Sequence, residues 1–129
     1  MTAFSHVLLI DDDADDREIF ASAISRISGV GKFTEFSCPV EALQALTAKK
    51  LVPDIIFLDL NMPKMNGHEF LARIKSDENL REIPVIIFST SGNFRNVKAS
   101  MDLGATDYIT KPYRFDELVI ILNRLFATN

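Results

Sequence analysis

The chain has 129 residues, 47% hydrophobic and 25% charged, which suits one globular domain over residues 1–129 that buries roughly two-thirds of its unfolded surface. A net charge of −4 with 14 scattered Lys and Arg argues against binding a nucleic-acid backbone, which calls for clustered basic side chains. The single Cys38 excludes an internal disulfide and a thiolate metal site; with no signal-peptide pattern and no apolar run near the ~18 residues of a membrane span, a cytoplasmic protein without membrane contact is expected.

Strand-like and helix-like segments alternate five times. The first strand, about His6 to Ile10, is a continuous apolar run, the pattern of a strand covered on both faces. It leads into Asp11, Asp12, Asp13, Asp15 and Asp16. In the helix that follows, Ile19, Phe20, Ala23, Ile24 and Ile27 recur at helical spacing, and Gly29 and Gly31 end it. Phe33 to Phe36 reads as a second strand with poor alternation. Pro39 sits where a first helical turn accepts proline, and Val40, Leu43 and Leu46 form the inward stripe of the second helix.

The third strand, Ile55 to Leu58, ends in Asp59. A polar loop from Asn61 to Gly67, containing Pro63, leads into a helix with Phe70, Leu71 and Ile74 inward. Pro84 opens the fourth strand, Val85 to Phe88, which ends in Ser89 and Thr90. The fourth helix, about Asn93 to Leu103, has the weakest stripe, mainly Val97 and Met101, and Gly104 ends it in a left-handed conformation. Tyr108 to Thr110 is the fifth strand and ends in Lys111-Pro112, where proline forces a turn and permits a cis bond. The last helix carries a strong stripe of Phe115, Leu118, Val119, Leu122, Leu125 and Phe126.

Alternating βα units imply an α/β fold with a parallel sheet, helices on both faces and right-handed crossovers. Such folds bind ligands at the carboxyl ends of the strands. That edge then collects several carboxylates, a hydroxyl and an ammonium, a layout for a divalent cation and an anionic group. Two carboxylates ~4 Å apart repel by about 4 kcal/mol at an effective dielectric near 20, so the acidic group needs solvent, protonation or a cation. Asp11 and Asp12 abut the apolar strand and are the candidates for cation binding; Asp13, Asp15 and Asp16 read as solvated residues capping the first helix. An EF-hand does not fit, because its sixth position, a Gly, is Asp16 and its twelfth, a Glu, is Ser22. Asp59, next to Asp11 and Asp12 if the first and third strands are neighbours, completes a set of hard oxygen ligands suited to Mg²⁺. Ser89 is the hydroxyl of the edge, with Thr90 and Ser91 available to cap the next helix.

Together these segments resemble the receiver domain of two-component response regulators, the CheY-like, flavodoxin-like fold. The carriers are Leu8-Leu9-Ile10-Asp11-Asp12; Ile56-Phe57-Leu58-Asp59-Leu60-Asn61-Met62-Pro63 with Gly67; Pro84-Val85-Ile86-Ile87-Phe88-Ser89; Gly104-Ala105; and Tyr108-Ile109-Thr110-Lys111-Pro112. The resemblance covers essentially the whole chain and implies a doubly wound (βα)5 fold with strand order 2-1-3-4-5. It also implies a phosphorelay role. Asp59 would accept a phosphoryl group from a phosphohistidine on a sensor histidine kinase or phosphotransfer protein. Asp12 would bind Mg²⁺ directly, Asp11 through water or from behind the direct ligands, and the Asn61 backbone carbonyl would complete the protein ligands. Lys111 and Ser89 would contact phosphoryl oxygens, and Tyr108 would be the aromatic that turns inward when Ser89 moves. Water would later cleave the acyl phosphate.

The usual Thr of the family is Ser89 here, and Thr90 stands where a smaller residue is usual. No output domain follows, so the resemblance implies a stand-alone receiver acting through a protein contact at its fourth helix, fifth strand and fifth helix rather than on nucleic acid. A metal-dependent phosphatase with an aspartyl nucleophile wants a second Asp two residues on, where this chain has Asn61. A scaffold without phosphorylation is disfavoured by the complete acidic, hydroxyl and Lys set, and a flavin carrier by the acidic edge.

Overall fold

The apolar runs become strands, and the segments between them become helices. In the computed structural model, which describes residues 4–62 and 64–127, the order is β1 (Phe4–Ile10), α1 (Ala14–Ile24), β2 (Val30–Phe36), α2 (Pro39–Thr47), β3 (Ile55–Leu58), α3 (Gly67–Ser76), β4 (Val85–Ser89), α4 (Phe94–Asp102), β5 (Asp107–Thr110) and α5 (Phe115–Ala127). The strands form one sheet in the order β2-β1-β3-β4-β5, all parallel, as the resemblance implied. The expected Pro63 lies outside the described residues. Among those described, no helix is long and apolar enough to cross a membrane, and every peptide bond is trans, Lys111-Pro112 included.

Successive strand residues point to opposite faces, so the continuous apolar runs feed two cores. Leu8, Ile10, Ile56, Leu58, Val85 and Ile87 pack on one face with Ala42 and Leu46 of α2 and Phe70, Leu71 and Ile74 of α3. Val7, Leu9, Ile55, Phe57, Ile86 and Phe88 pack on the other with Phe20, Ala23 and Ile24 of α1 and Leu118, Leu122 and Phe126 of α5. Phe20 is the hub of this second core. Its ring centroid lies 5.8 Å from that of Phe33, 4.9 Å from Phe57 and 5.4 Å from Phe88.

Several helix details differ from the sequence expectation. α1 stops at Ile24, and Ile27 is buried beyond it in the connection to β2, where Gly29 takes a positive φ of 92°. Ile19 is exposed, because α1 turns its Phe20, Ala23 and Ile24 side to the sheet and leaves the neighbouring position in water. β2 begins earlier than expected, at Val30, and its partly exposed pattern reflects an edge strand paired only with β1. In α4 the expected stripe is not buried: Met101 is exposed and Val97 half-buried, and Ser100 is the helix's one buried residue.

α4 is instead docked by polar groups. The Ser100 hydroxyl donates to the Asn96 carbonyl (2.8 Å) and lies 2.9 Å from His68 Nε2 of α3. The helix is capped by Asn93, whose side chain accepts from the Asn96 N–H (2.9 Å), not by Thr90 or Ser91. Gly104 takes the expected left-handed conformation, φ 105°, just beyond the helix.

Candidate functional site

The register of the central strands builds the site. Ile10 is paired with Leu58, and the Asp59 N–H donates to the Ile10 carbonyl (3.0 Å), so the residues after the two strands, Asp11 and Asp59, stand side by side. This is where the chain leaves β1 for β2 on one side and returns to β3 on the other, the crevice at which open α/β sheets bind ligands. Ser89 is paired with Thr110, and the Lys111 N–H donates to the Ser89 carbonyl (2.7 Å), which brings the ammonium-bearing residue to the same edge. Asp12, Asp13, Asp15, Asp16, Asp59, Asn61, Thr90 and Lys111 line a cleft of about 500 Å³.

Asp11 and Asp59 are buried, 1% and 5% exposed, whereas Asp12 is open to solvent. Each of the three offers a carboxylate oxygen within 4.8 Å of the others. Burial pushes the Asp59 carboxyl up to about 6; Lys111 opposes the rise, Asp11 adds to it, and a hydrogen bond from the Asn61 N–H opposes it. Burial also raises the Asp11 carboxyl, against the pull of Lys111 and of the Asp13 N–H, which donates to Asp11 Oδ1 (3.0 Å). Arg17 fixes the strand end from α1: its Nη1 donates to the Asp11 carbonyl (2.9 Å), and its Nε to Glu35 (3.1 Å).

Lys111 is the one cation lining this cleft. Its Nζ lies 2.8 Å from Asp11 Oδ2, 2.7 Å from Asp16 Oδ2 and 3.8 Å from Asp59 Oδ1, and 5.7 Å from the centre of the Phe88 ring. Burial pulls its proton affinity down, but the hydrogen bonds to Asp11 and Asp16 outweigh this and push it up to about 12. The ammonium is therefore charged throughout the physiological range.

The remaining expected residues sit around this centre in unequal ways. Ser89 is fully buried, with its Oγ accepting from the Ser91 N–H (3.3 Å). Asn61 is exposed at the cleft, and Thr90 lines it. Tyr108 is not among the cleft-lining residues. It is half-buried against the α2–α3 core, and its phenol donates to the Ser91 carbonyl, tying β5 to the loop before α4. Asp13 caps α1, accepting from the Asp16 N–H (3.0 Å), as its sequence position suggested. Asp16 departs from expectation: its carboxylate is not merely solvated but holds Lys111. The only sequence signal for it was its membership in the acidic run, which does not distinguish it from Asp15.

Gly67 lets α3 approach the backbone of Asp59 closely. A Cβ on it would stand 2.5 Å from the Asp59 carbonyl oxygen and 2.7 Å from Leu60 Cα. The start of α3, capped by Asn66, which accepts from the Glu69 N–H (2.9 Å), therefore lies directly against the backbone that carries Asp59.

Residues 7–123 match the family described as the response regulator receiver domain. The chain is 32% identical over 123 residues to the chemotaxis protein CheY1 of Helicobacter pylori, covering 95% of this chain and 98% of that protein. Among solved structures, the phosphorylated cyanobacterial phytochrome response regulator RcpA superposes with a TM-score of 0.86 at 33% identity, covering 94% of this chain and 90% of that one. The Mn²⁺-bound form of the response regulator Rcp1 superposes with a TM-score of 0.84 at 28% identity, covering 94% and 91%.

Proposed function

The chain belongs to the response regulator receiver domain family of two-component signalling, and from that premise we propose that it is a phosphorylation switch whose acceptor is Asp59. The family is one of signalling proteins rather than of classical enzymes, and its members work with histidine kinases and downstream targets. The observation that carries the reading is the convergence of the buried Asp59 carboxylate with Asp11, Asp12 and the Lys111 ammonium at one sheet edge.

The donor set fits Mg²⁺. Three carboxylates can bring oxygens within 4.8 Å of one another, and the exposure of Asp12 leaves room for the waters that this ion retains. Asp12 and Asp59 would be direct ligands, Asp11 would act through water, and the Asn61 backbone carbonyl would add a fourth protein contact. A Mn²⁺-bound relative of the same fold supports a divalent ion here. When bound, the ion neutralises carboxylate charge and lets an anionic phosphoryl group approach.

The chain's own residues then supply position and charge, which is most of what phosphoryl transfer requires. A carboxylate oxygen of Asp59 attacks phosphorus in line with the leaving imidazole nitrogen of a phosphohistidine; the O–P bond forms as the N–P bond breaks. Lys111 pairs with one phosphoryl oxygen. Ser89, whose hydroxyl oxygen already accepts from the Ser91 N–H, keeps its proton to donate to another. Hydrolysis of the acyl phosphate resets the switch. Contacts made by Ser89 and Lys111 only in the modified state bias the fold between two arrangements. Tyr108, bonded to the loop that follows Ser89, transmits that bias to the α4–β5–α5 face and a protein partner. The sparse apolar anchoring of α4 supports its role as the moving element.

Incubation with acetyl phosphate and Mg²⁺ followed by intact-mass measurement tests the assignment. The parent should gain one phosphoryl group, and Asp59→Asn none. Equal modification of the variant would remove Asp59 from the role.

A further inference from the structure

The ammonium of Lys111 has three N–H donors. Two are taken by Asp11 and Asp16, at 2.8 and 2.7 Å, while Asp59 at 3.8 Å is beyond hydrogen-bond reach. We infer that Asp16 is a positioning residue of this site, holding Lys111 off Asp59 so that the acceptor oxygen stays free to attack and one N–H stays free for an incoming phosphoryl oxygen. The inference rests on the reading of Asp59 as phosphoacceptor.

Local structure makes Asp16 suited to this. It lies in the first turn of α1, where its backbone N–H is bound by the capping side chain of Asp13 (3.0 Å). The next residue, Arg17, clamps the same turn to the end of β1 through the Asp11 carbonyl (2.9 Å). The Asp16 carboxylate is thus carried on a turn fixed at two points, and it reaches a lysine 95 residues away. Its side chain is 33% exposed and that of Lys111 only 10%, so the pair closes the outer side of a largely buried ammonium. Three carboxylates compete for one cation, and without Asp16 the carboxylate left beside Lys111, besides Asp11, is Asp59 at 3.8 Å. A lysine moved onto it would occupy the attacking oxygen, and a displacement of about 1 Å at a reacting centre can cost on the order of a hundredfold in rate.

Asp16→Ala tests this, because it removes the carboxylate and leaves the backbone N–H that Asp13 binds. In a metal-free crystal structure of the variant, Lys111 Nζ should lie within hydrogen-bond distance of an Asp59 oxygen. A separation still near 3.8 Å would overturn the inference. Phosphorylation by acetyl phosphate with Mg²⁺ should slow roughly tenfold or more, and the same substitution made in a Lys111→Met background should change the rate no further. An unchanged rate in Asp16→Ala, or an equal loss when Lys111 is absent, would show that Asp16 does not act through the lysine. A parent that is not phosphorylated would instead overturn the acceptor reading, while the crystallographic result would still report on Asp16.

Discussion

Asp59 ionises against its surroundings, and stability should record the cost. Unfolded, the carboxyl titrates near 3.8; folded, burial raises it to about 6. Below 3.8 both states carry the proton and the fold bears no penalty. As pH rises through about 6 the folded state must hold a buried anion, and stability falls by on the order of 3 kcal/mol in all. Without Mg²⁺, Asp59→Asn should therefore be more stable than the parent at pH 8 by up to about that amount and nearly equal to it at pH 4. Urea denaturation across this range measures the difference, and a gap independent of pH would rule out burial as its source. Added Mg²⁺ should narrow the gap by binding the folded parent. Asp59, Asp11, Asp12 and Lys111 were legible because each follows an apolar strand, and parallel strands share their carboxyl edge. Asp16 was not, because in its own segment a first-turn acid already has a sufficient local explanation, and its true partner is distant in sequence.

Elements buried on both sides were the easiest to read. β3 begins and ends where its apolar run does, and α3 buries the expected Phe70, Leu71 and Ile74. Where burial is thin, the pattern misled: Ile19 and Met101 fit helical spacing yet face water, since periodicity marks a possible stripe but not whether a neighbour covers it. The cap of α4 fell to Asn93 rather than to either hydroxyl proposed, because the helix begins at Phe94 and Thr90 and Ser91 lie upstream of the capping position; Ser91 Oγ instead accepts from the Asn93 and Asn96 side-chain amides (3.0 Å each). The α3 start makes a sharper demand. Gly67→Ala would drive a methyl into the Asp59 carbonyl and Leu60 Cα, and it should destabilise the protein by about 1–3 kcal/mol. The urea midpoint should fall at unchanged slope. A variant as stable as the parent would mean that α3 can retreat from the β3 end without loss.

At the scale of the molecule, βα alternation dictates a parallel sheet with helices on both faces, but not which strand lies beside which. The order β2-β1-β3-β4-β5 came with the family resemblance, and it is this order that sets Asp11 against Asp59 and Ser89 against Lys111. The two cores lie on opposite faces of the sheet, so a change at the carboxyl edge would reach the α4 side through β4, β5 and the loop between Ser89 and α4. Tyr108 spans that route, with its phenol on the Ser91 carbonyl. The chain has no tryptophan and only two tyrosines, and the other, Tyr113, is fully exposed. No indole is present to drain tyrosine excitation, and a phenol bonded to a carbonyl emits weakly. In Tyr113→Phe, ultraviolet emission should come from Tyr108 alone and change in intensity when beryllofluoride and Mg²⁺ occupy the cleft; an unaltered spectrum would mean that the phenol keeps its bond in both states. The hydrogen bond that joins β5 to its neighbouring loop would then serve as a native optical reporter, readable without a dye.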